Sequence, residues 1–162
     1  MLGNTIGHLR SENDDRVTQA ALRLGLLLER HRFCRAGGHG TLGDVERLFG
    51  GHAHLELSDS DAEHVLQGLL AHVEDRDSRA NPAVIWAIGK AHNNLEAIER
   101  VAELAERILA DLDHADLLYQ ALAVVSVCAT DRHKPLLIRA ARECTGESAE
   151  LARNVLAMRH WS

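Results

Sequence analysis

The 162-residue chain is poor in aromatic residues, proline and cysteine. Aromatic residues make up only 3% of it, and there are just two prolines, Pro82 and Pro135. With Leu and Ala dominant, this composition favours packed helices over sheets, which draw on aromatic and β-branched residues. Three cysteines, Cys34, Cys128 and Cys144, do not make a paired disulfide framework. We therefore expect a helical protein of a reducing compartment.

An excess of basic residues and a long apolar run are also missing. The formal net charge is −6, whereas general nucleic-acid binding requires a basic surface. No apolar run reaches the roughly 20 residues of a membrane span. The first 15 residues lack the apolar core of a signal peptide. These absences predict a cytoplasmic protein that binds neither nucleic acid nor membrane.

Sequence motifs of catalysis and cofactor binding give no usable site. G-x-S-x-G, H-E-x-x-H and G-K-[ST] are absent. Residues 38–43, GHGTLG, match the G-x-G-x-x-G pattern of dinucleotide-binding proteins. That pattern needs a strand in front of it, whereas a helix is predicted here. We expect no enzyme, no catalytic residue and no cofactor.

Several potential metal ligands lie close together in the sequence: Cys34, His39, His52, His54 and His64. None of them shows the C-x₂₋₄-C or H-x₃₋₅-H spacing of structural zinc sites. We expect no metal ion and regard these histidines as solvated. The alternative is a helical enzyme, or a binder of metals or small ligands, that uses the Gly- and His-rich segment 37–54.

The clearest stretch is a pair of predicted helices over residues 81–112. Asn81 and Pro82 suit a helix start, and residues 83–91 are apolar on nearly all sides. This pattern is typical of a buried helix, with Trp86 and Ile88 as core residues. Asn94 is a candidate cap for the next helix.

That second helix is amphipathic. One face is apolar, and the opposite face carries Glu96, Glu99, Glu103 and Glu106. Arg100 and Arg107 each follow a glutamate by four residues, the favourable order for helical ion pairs. Glu99 and Glu106 have no such neighbour.

Apolar stripes at helical spacing cover most of the remaining chain. They predict further helices over residues 14–32, 41–49, 60–75, 114–129, 131–144 and 147–159. Residues 1–13 form either a frayed arm or a short turn of helix, and residues 36–57 form a Gly-rich connection. The sequence thus predicts one all-α domain over residues 1–162 with seven or eight helices.

Three pairs of small and aliphatic residues recur at equal steps of 34 residues. They are Ile88-Gly89, Leu122-Ala123 and Leu156-Ala157, each predicted to lie in the middle of a helix. Helix–turn–helix repeats have similar periods, and residues 81–162 resemble the HEAT and armadillo-like repeat class. The resemblance implies a right-handed stack of antiparallel helix pairs. The alternative is an irregular helical bundle with an accidental spacing.

Repeat stacks bind partners along rows of half-exposed helices. If this chain forms a regular stack, the exposed residues of three successive half-exposed helices lie in one row. The row is acidic along the first two of these helices and basic along the third. The predicted row comprises His64, Gln67, Glu74, Asp75, Glu96, Glu99, Glu103, Glu106, Arg132, Arg139 and Arg142. We therefore expect a non-enzymatic protein-binding module with a basic protein partner.

Size and charge suggest one narrower function. Bacterial immunity proteins are small, acidic and cytoplasmic, and they neutralise nuclease toxins that are basic because they bind nucleic acid. This is an analogy and not a motif match. It predicts an immunity-type inhibitor. The alternative binding role is a helical scaffold or regulator subunit of a larger complex.

Overall fold

The computed structural model of the protein describes residues 2–36, 56–111 and 114–161. These ranges contain eight α-helices, one 3₁₀ turn and no strand, so the all-α prediction with seven or eight helices is confirmed. Met1–Asn93 and Asn94–Ser162 form two compact units, called unit 1 and unit 2 below. The prediction of a single domain stays a prediction.

Each unit contains four α-helices within the described ranges. Those of unit 1 are α1 (Leu2–His8), α2 (Asp14–Arg35), α3 (Asp59–Asp75) and α4 (Asn81–Gly89). Those of unit 2 are α5 (Leu95–Asp111), α6 (Ala115–Val127), α7 (Lys134–Glu143) and α8 (Gly146–Met158), with the 3₁₀ turn Asp131–His133 before α7. None of the described helices combines the length and the apolar character needed to cross a membrane.

Side-chain caps determine where three of the helices begin. The Ser58 hydroxyl accepts the Asp61 N–H at 3.1 Å, and the Asp61 carboxylate accepts the Ser58 N–H at 3.3 Å. The Asn94 side chain accepts the Ala97 N–H at 3.1 Å, as predicted. The cap of α2 is Asn13, which accepts the Arg16 N–H at 3.1 Å; the sequence had offered Asp14 and Asp15 as caps, but both lie within the first turn of the helix.

The N-terminal segment is helical from Leu2 to His8. Of the two alternatives for residues 1–13, the structure therefore shows the helix. No residue of α1 is fully buried, but Leu9, directly after it, is only 3% exposed. The segment is thus anchored at its C-terminal end.

The sequence suggested Asn81 as the cap of α4, but its side chain does not cap the helix. It is the first residue of the helix and is buried, and its Nδ2 donates to the Arg76 carbonyl at 2.8 Å. With its amide turned towards that carbonyl, the side chain makes no cap. Instead, the Ser78 hydroxyl accepts the N–H of Ala80, the residue before the helix, at 3.1 Å.

The core of unit 1 is built around α4, which packs against α2 and α3. Gly25 of α2 allows the closest approach: a Cβ there would lie 2.8 Å from Trp86 Cζ3 and 2.9 Å from Ala87 Cα. Ile88 is fully buried, as predicted. Trp86 is only half-buried and does not belong to the buried core, so the prediction of Trp86 as a core residue was wrong. One face of its ring is covered by Lys90 Nζ, 4.5 Å from the ring centroid.

In unit 2, α6 packs against α5 and α8, and α7 packs against α8. The predicted apolar face of α5 is buried, including Ile98, Val101, Ala105 and Leu109. The opposite face of α5 is thereby left on the outside, as its amphipathic pattern predicts. The acidic residues on that face form the candidate site.

The three pairs spaced by 34 residues do not occupy equivalent positions in their helices. Ile88-Gly89 closes α4, Leu122-Ala123 lies in the middle of α6, and Leu156-Ala157 lies in the last turn of α8. The mid-helix prediction holds only for the second pair. The HEAT-like resemblance and its right-handed stack stay predictions.

Candidate functional site

The outer face of α5 carries the four predicted glutamates. Glu96, Glu103 and Glu106 are exposed, and Glu99 is half-buried. No ion pair joins the first three to any residue within the described ranges. We call Glu96, Glu103 and Glu106 the acidic face.

Glu99 differs because its carboxylate is bound within unit 2. Its Oε1 lies 3.4 Å from Arg132 Nη1 and 3.6 Å from His133 Nε2. His133 is 4% exposed, and its Nδ1 accepts the Thr130 N–H at 3.1 Å. The neutral ring therefore carries its proton on Nε2, towards Glu99. Glu99 thus lies beside two positive or ionisable groups of the 3₁₀ turn, which accounts for its charge within unit 2.

The basic residues predicted at the end of the row lie on α7 and the turn before it. Arg132 is exposed and paired with Glu99. Arg139 pairs with Glu143 of its own helix at 3.3 Å, while Arg142 is exposed. Two of the three guanidinium groups are thus engaged by carboxylates of unit 2, which are neutralised in turn, so the basic end of the predicted row is less available to a partner than the sequence alone suggested.

The predicted residues of α3 are all exposed: His64, Gln67, Glu74 and Asp75. Gln67 donates to Glu63 at 2.8 Å. His64, Gln67 and Asp75 also line a groove of about 410 Å³, whose other wall includes Ile6, Leu9 and Arg10. Because α3 belongs to unit 1 and α5 to unit 2, a continuous row across these helices stays a prediction.

The wall of this groove contains a buried histidine that the sequence did not single out. His72 is 5% exposed, and its Nδ1 donates to the Leu9 carbonyl at 2.8 Å. Its Nε2 is buried and has no hydrogen-bond partner among the described residues. Burial lowers the pKa of His72 below its ordinary value, and the Leu9 carbonyl opposes this only in part.

A second polar cluster lies between α2 and the start of α3, beside a cavity of about 310 Å³. His31 Nδ1 donates to the Leu57 carbonyl at 3.0 Å, and its Nε2 lies 3.2 Å from Asp59 Oδ1. Arg35 binds the other oxygen of Asp59 at 3.2 Å. Both ring nitrogens thus lie beside oxygen acceptors, so the ring is engaged between α2 and the start of α3. Sequence reasoning missed this cluster because its two sides are far apart in the chain.

The Gly- and His-rich segment 37–54, with His39, His52 and His54, lies outside the described residues. Within the described ranges, no group of three or more His, Cys, Asp or Glu side chains is placed to hold a metal ion. The cysteines at 34, 128 and 144 form no disulfide. Burial, with Glu143 adding to it, raises the pKa of the Cys144 thiol, which keeps it in the less reactive protonated form.

Comparison with known proteins gives no relative of this chain: no protein-family model, no curated protein and no solved structure matches it.

Proposed function

We propose that the protein is a non-enzymatic binding module that docks a basic protein through the acidic face of α5. One observation carries the proposal: Glu96, Glu103 and Glu106 are exposed on one helix face, and no ion pair joins them to a described residue. Three carboxylates along about three turns of helix attract a positively charged partner and raise its encounter rate. The backbone beneath them is fixed by the buried side of α5.

The narrower form of the proposal is an immunity-type inhibitor of a basic nuclease toxin in the bacterial cytoplasm. Such a toxin is basic because its substrate is a polyanion, and an acidic helical surface competes for the same positive groups. The net charge of −6 supports this form, which rests on charge and size. A scaffold or regulator subunit remains the second candidate, because it would use the same face.

Site-specific photo-crosslinking tests where the partner binds. Ala110 is exposed and lies on the same side of α5 as the three glutamates, so it can carry the photoreactive residue. Ala157 of α8 is also exposed and provides the matched control position. We expect a basic protein to crosslink from position 110 and not from position 157. Equal crosslinking from both positions, or an acidic product, would contradict the proposal.

The activity of the captured protein then distinguishes an immunity-type inhibitor from a scaffold or regulator subunit. If it is a nuclease, addition of this chain at equal concentration should abolish its nucleic-acid cleavage. A partner that keeps its full activity in the complex would favour the scaffold or regulator.

A further inference from the structure

The N-terminal segment is fastened to the last turn of α3 by two side chains. His72 Nδ1 donates to the Leu9 carbonyl at 2.8 Å. Arg76 donates from Nη2 to the Arg10 carbonyl at 3.2 Å and from Nη1 to the Ser11 carbonyl at 2.9 Å. α1 also packs against α2, but none of its residues is fully buried, so these bonds and the Leu9 side chain add to a thin contact.

Of these bonds, only the one from His72 comes from a group that changes charge near neutral pH. The neutral ring donates from Nδ1 and keeps a lone pair on Nε2. A second proton would place an N–H on Nε2, which is buried and has no acceptor among the described residues. A buried charge without a partner is costly, so protonation conflicts with the docked arrangement.

We propose that His72 is a pH-sensitive latch, and that uptake of one proton by its ring releases residues 2–11 from the end of α3. Release removes the Leu9 carbonyl and opens the groove wall beside the ring, so the imidazolium gains water. The released form exposes the apolar surface that Ile6 and Leu9 cover around Gly68. The latch is independent of the acidic face of α5.

The direction of the effect follows from proton linkage. In the docked state, the pKa of His72 lies below its ordinary value of 6.5, with burial as the largest cause. The released state therefore binds more protons. The stabilisation of the docked state by the neutral ring is fully present above about pH 6.5, and it is lost as pH falls below 6.5 towards the lower pKa of the docked ring. With a single proton involved, the docking equilibrium changes at most about tenfold per pH unit.

The other charged groups around the ring do not remove this conflict. Arg76 lowers the pKa of His72 further, while Asp14 at the start of α2 raises it. The Asp14 carboxylate is already committed, since it accepts from Ser78 Oγ at 2.7 Å and lies 3.4 Å from Arg79 Nε. These partners also lower the pKa of Asp14, with Ser78 the largest cause, so it keeps its charge in this pH range. Arg10, His64 and Asp75 line the groove, and none of them bonds to Nε2.

Hydrogen exchange of the intact protein, read by mass spectrometry at pH 7.5 and 5.5, tests the latch. After correction for the intrinsic pH dependence of exchange, the amides of residues 6–11 should lose about three- to tenfold of their protection at the lower pH. Amides of α8 in unit 2 serve as the internal reference and should not change. Unchanged protection of residues 6–11 in the wild-type protein would overturn the proposal.

Two variants separate the latch from general acid sensitivity. His72→Asn keeps an N–H donor close to the Nδ1 position and cannot titrate in this range, so its N-terminal protection should be equal at both pH values. His64→Asn removes an exposed histidine of the same groove and should retain the wild-type response. A wild-type response in His72→Asn, or its loss in His64→Asn, would contradict the assignment.

If His72→Asn does not fold, NMR of the wild-type ring provides the test. The titration of the His72 ring should then coincide in pH with the loss of N-terminal protection. Titration of the ring without any change in the amides of residues 6–11 would overturn the latch.

Discussion

The charged residues of unit 1 and of α5 in unit 2 have different partners. In unit 1, ion pairs join segments that are distant in the chain: Lys90 to Glu29 at 2.9 Å, and Arg35 to Asp59 at 3.2 Å. Arg32 adds a hydrogen bond to the Lys90 carbonyl at 3.2 Å, at the end of α4. On α5, by contrast, no ion pair joins the three glutamates of the acidic face to a residue within the described ranges.

This difference separates charges that stabilise the fold from charges that need another explanation. Lys90 bridges two helices and lies over Trp86, so its presence is accounted for by packing. Glu103 and its two neighbours on the acidic face hold no element in place. Their clustering is explained either by solvation or by a partner, and the proposed function rests on the second explanation.

Truncation of the core should have the largest effect on stability. Ile88 is fully buried, so Ile88→Ala should lower the free energy of unfolding by about 2–5 kcal/mol. Trp86→Ala should cost less than the roughly 3–5 kcal/mol of a fully buried aromatic residue, because Trp86 is half-buried. Urea denaturation measures both. A loss of about 5 kcal/mol or more for Trp86→Ala, or one below about 1 kcal/mol for Ile88→Ala, would contradict the described packing of α4.

The close approach of α2 and α4 should produce the next largest effect. A Cβ at position 25 would meet the backbone of Ala87 at 2.9 Å, so Gly25→Ala should lower the free energy of unfolding by about 1–3 kcal/mol. Gly7→Ala is the control, because a Cβ there meets nothing within 4 Å. It should be neutral or stabilise α1 by up to about 1 kcal/mol. Stabilisation by Gly25→Ala would show that the helices lie further apart.

Removal of single charges should change the free energy of unfolding least. The change should be larger in unit 1 than on the acidic face of α5. Lys90→Met removes the ion pair with Glu29 and the contact with Trp86, and should cost about 1 kcal/mol. Glu103→Gln on the acidic face should stay within about 0.5 kcal/mol of the wild type. Thermal unfolding in parallel measures both. A greater loss for Glu103→Gln would mean that the acidic face stabilises the fold.

The sequence predicted those parts of the fold that depend on local patterns. Caps such as Ser58 and Asn94, together with the apolar stripe of α5, set helix boundaries because their interactions span only three or four residues. The exposed positions of Glu96, Glu103 and Glu106 follow from the same periodicity. For these elements the residue pattern alone was sufficient.

The features that sequence reasoning missed depend on contacts between distant residues. Glu99 was grouped with the other glutamates because its partners Arg132 and His133 lie more than 30 positions away. Gly25 stands among the apolar residues of α2. Because a glycine inside a helix is otherwise unfavourable, its presence there was a weak indication of a close contact between helices. His72 falls at a stripe position of α3 between Leu69 and Val73, which was the available sign of its burial.

The most direct test of the binding role is the association rate of the captured basic partner with a triple variant. Glu96→Gln, Glu103→Gln and Glu106→Gln together neutralise the acidic face and leave Glu99 in place beside His133. The matched control, Glu12→Gln with Asp77→Asn and Glu150→Gln, changes the net charge equally at exposed positions outside α5.

Stopped-flow association at low and at moderate salt gives the decisive comparison. We predict that the α5 variant remains folded, associates at least about tenfold more slowly at low salt and loses most of its salt dependence. The control variant should retain most of the wild-type rate. Equal rates for the two variants at both salt concentrations would contradict the account and leave the acidic face as a solvated surface.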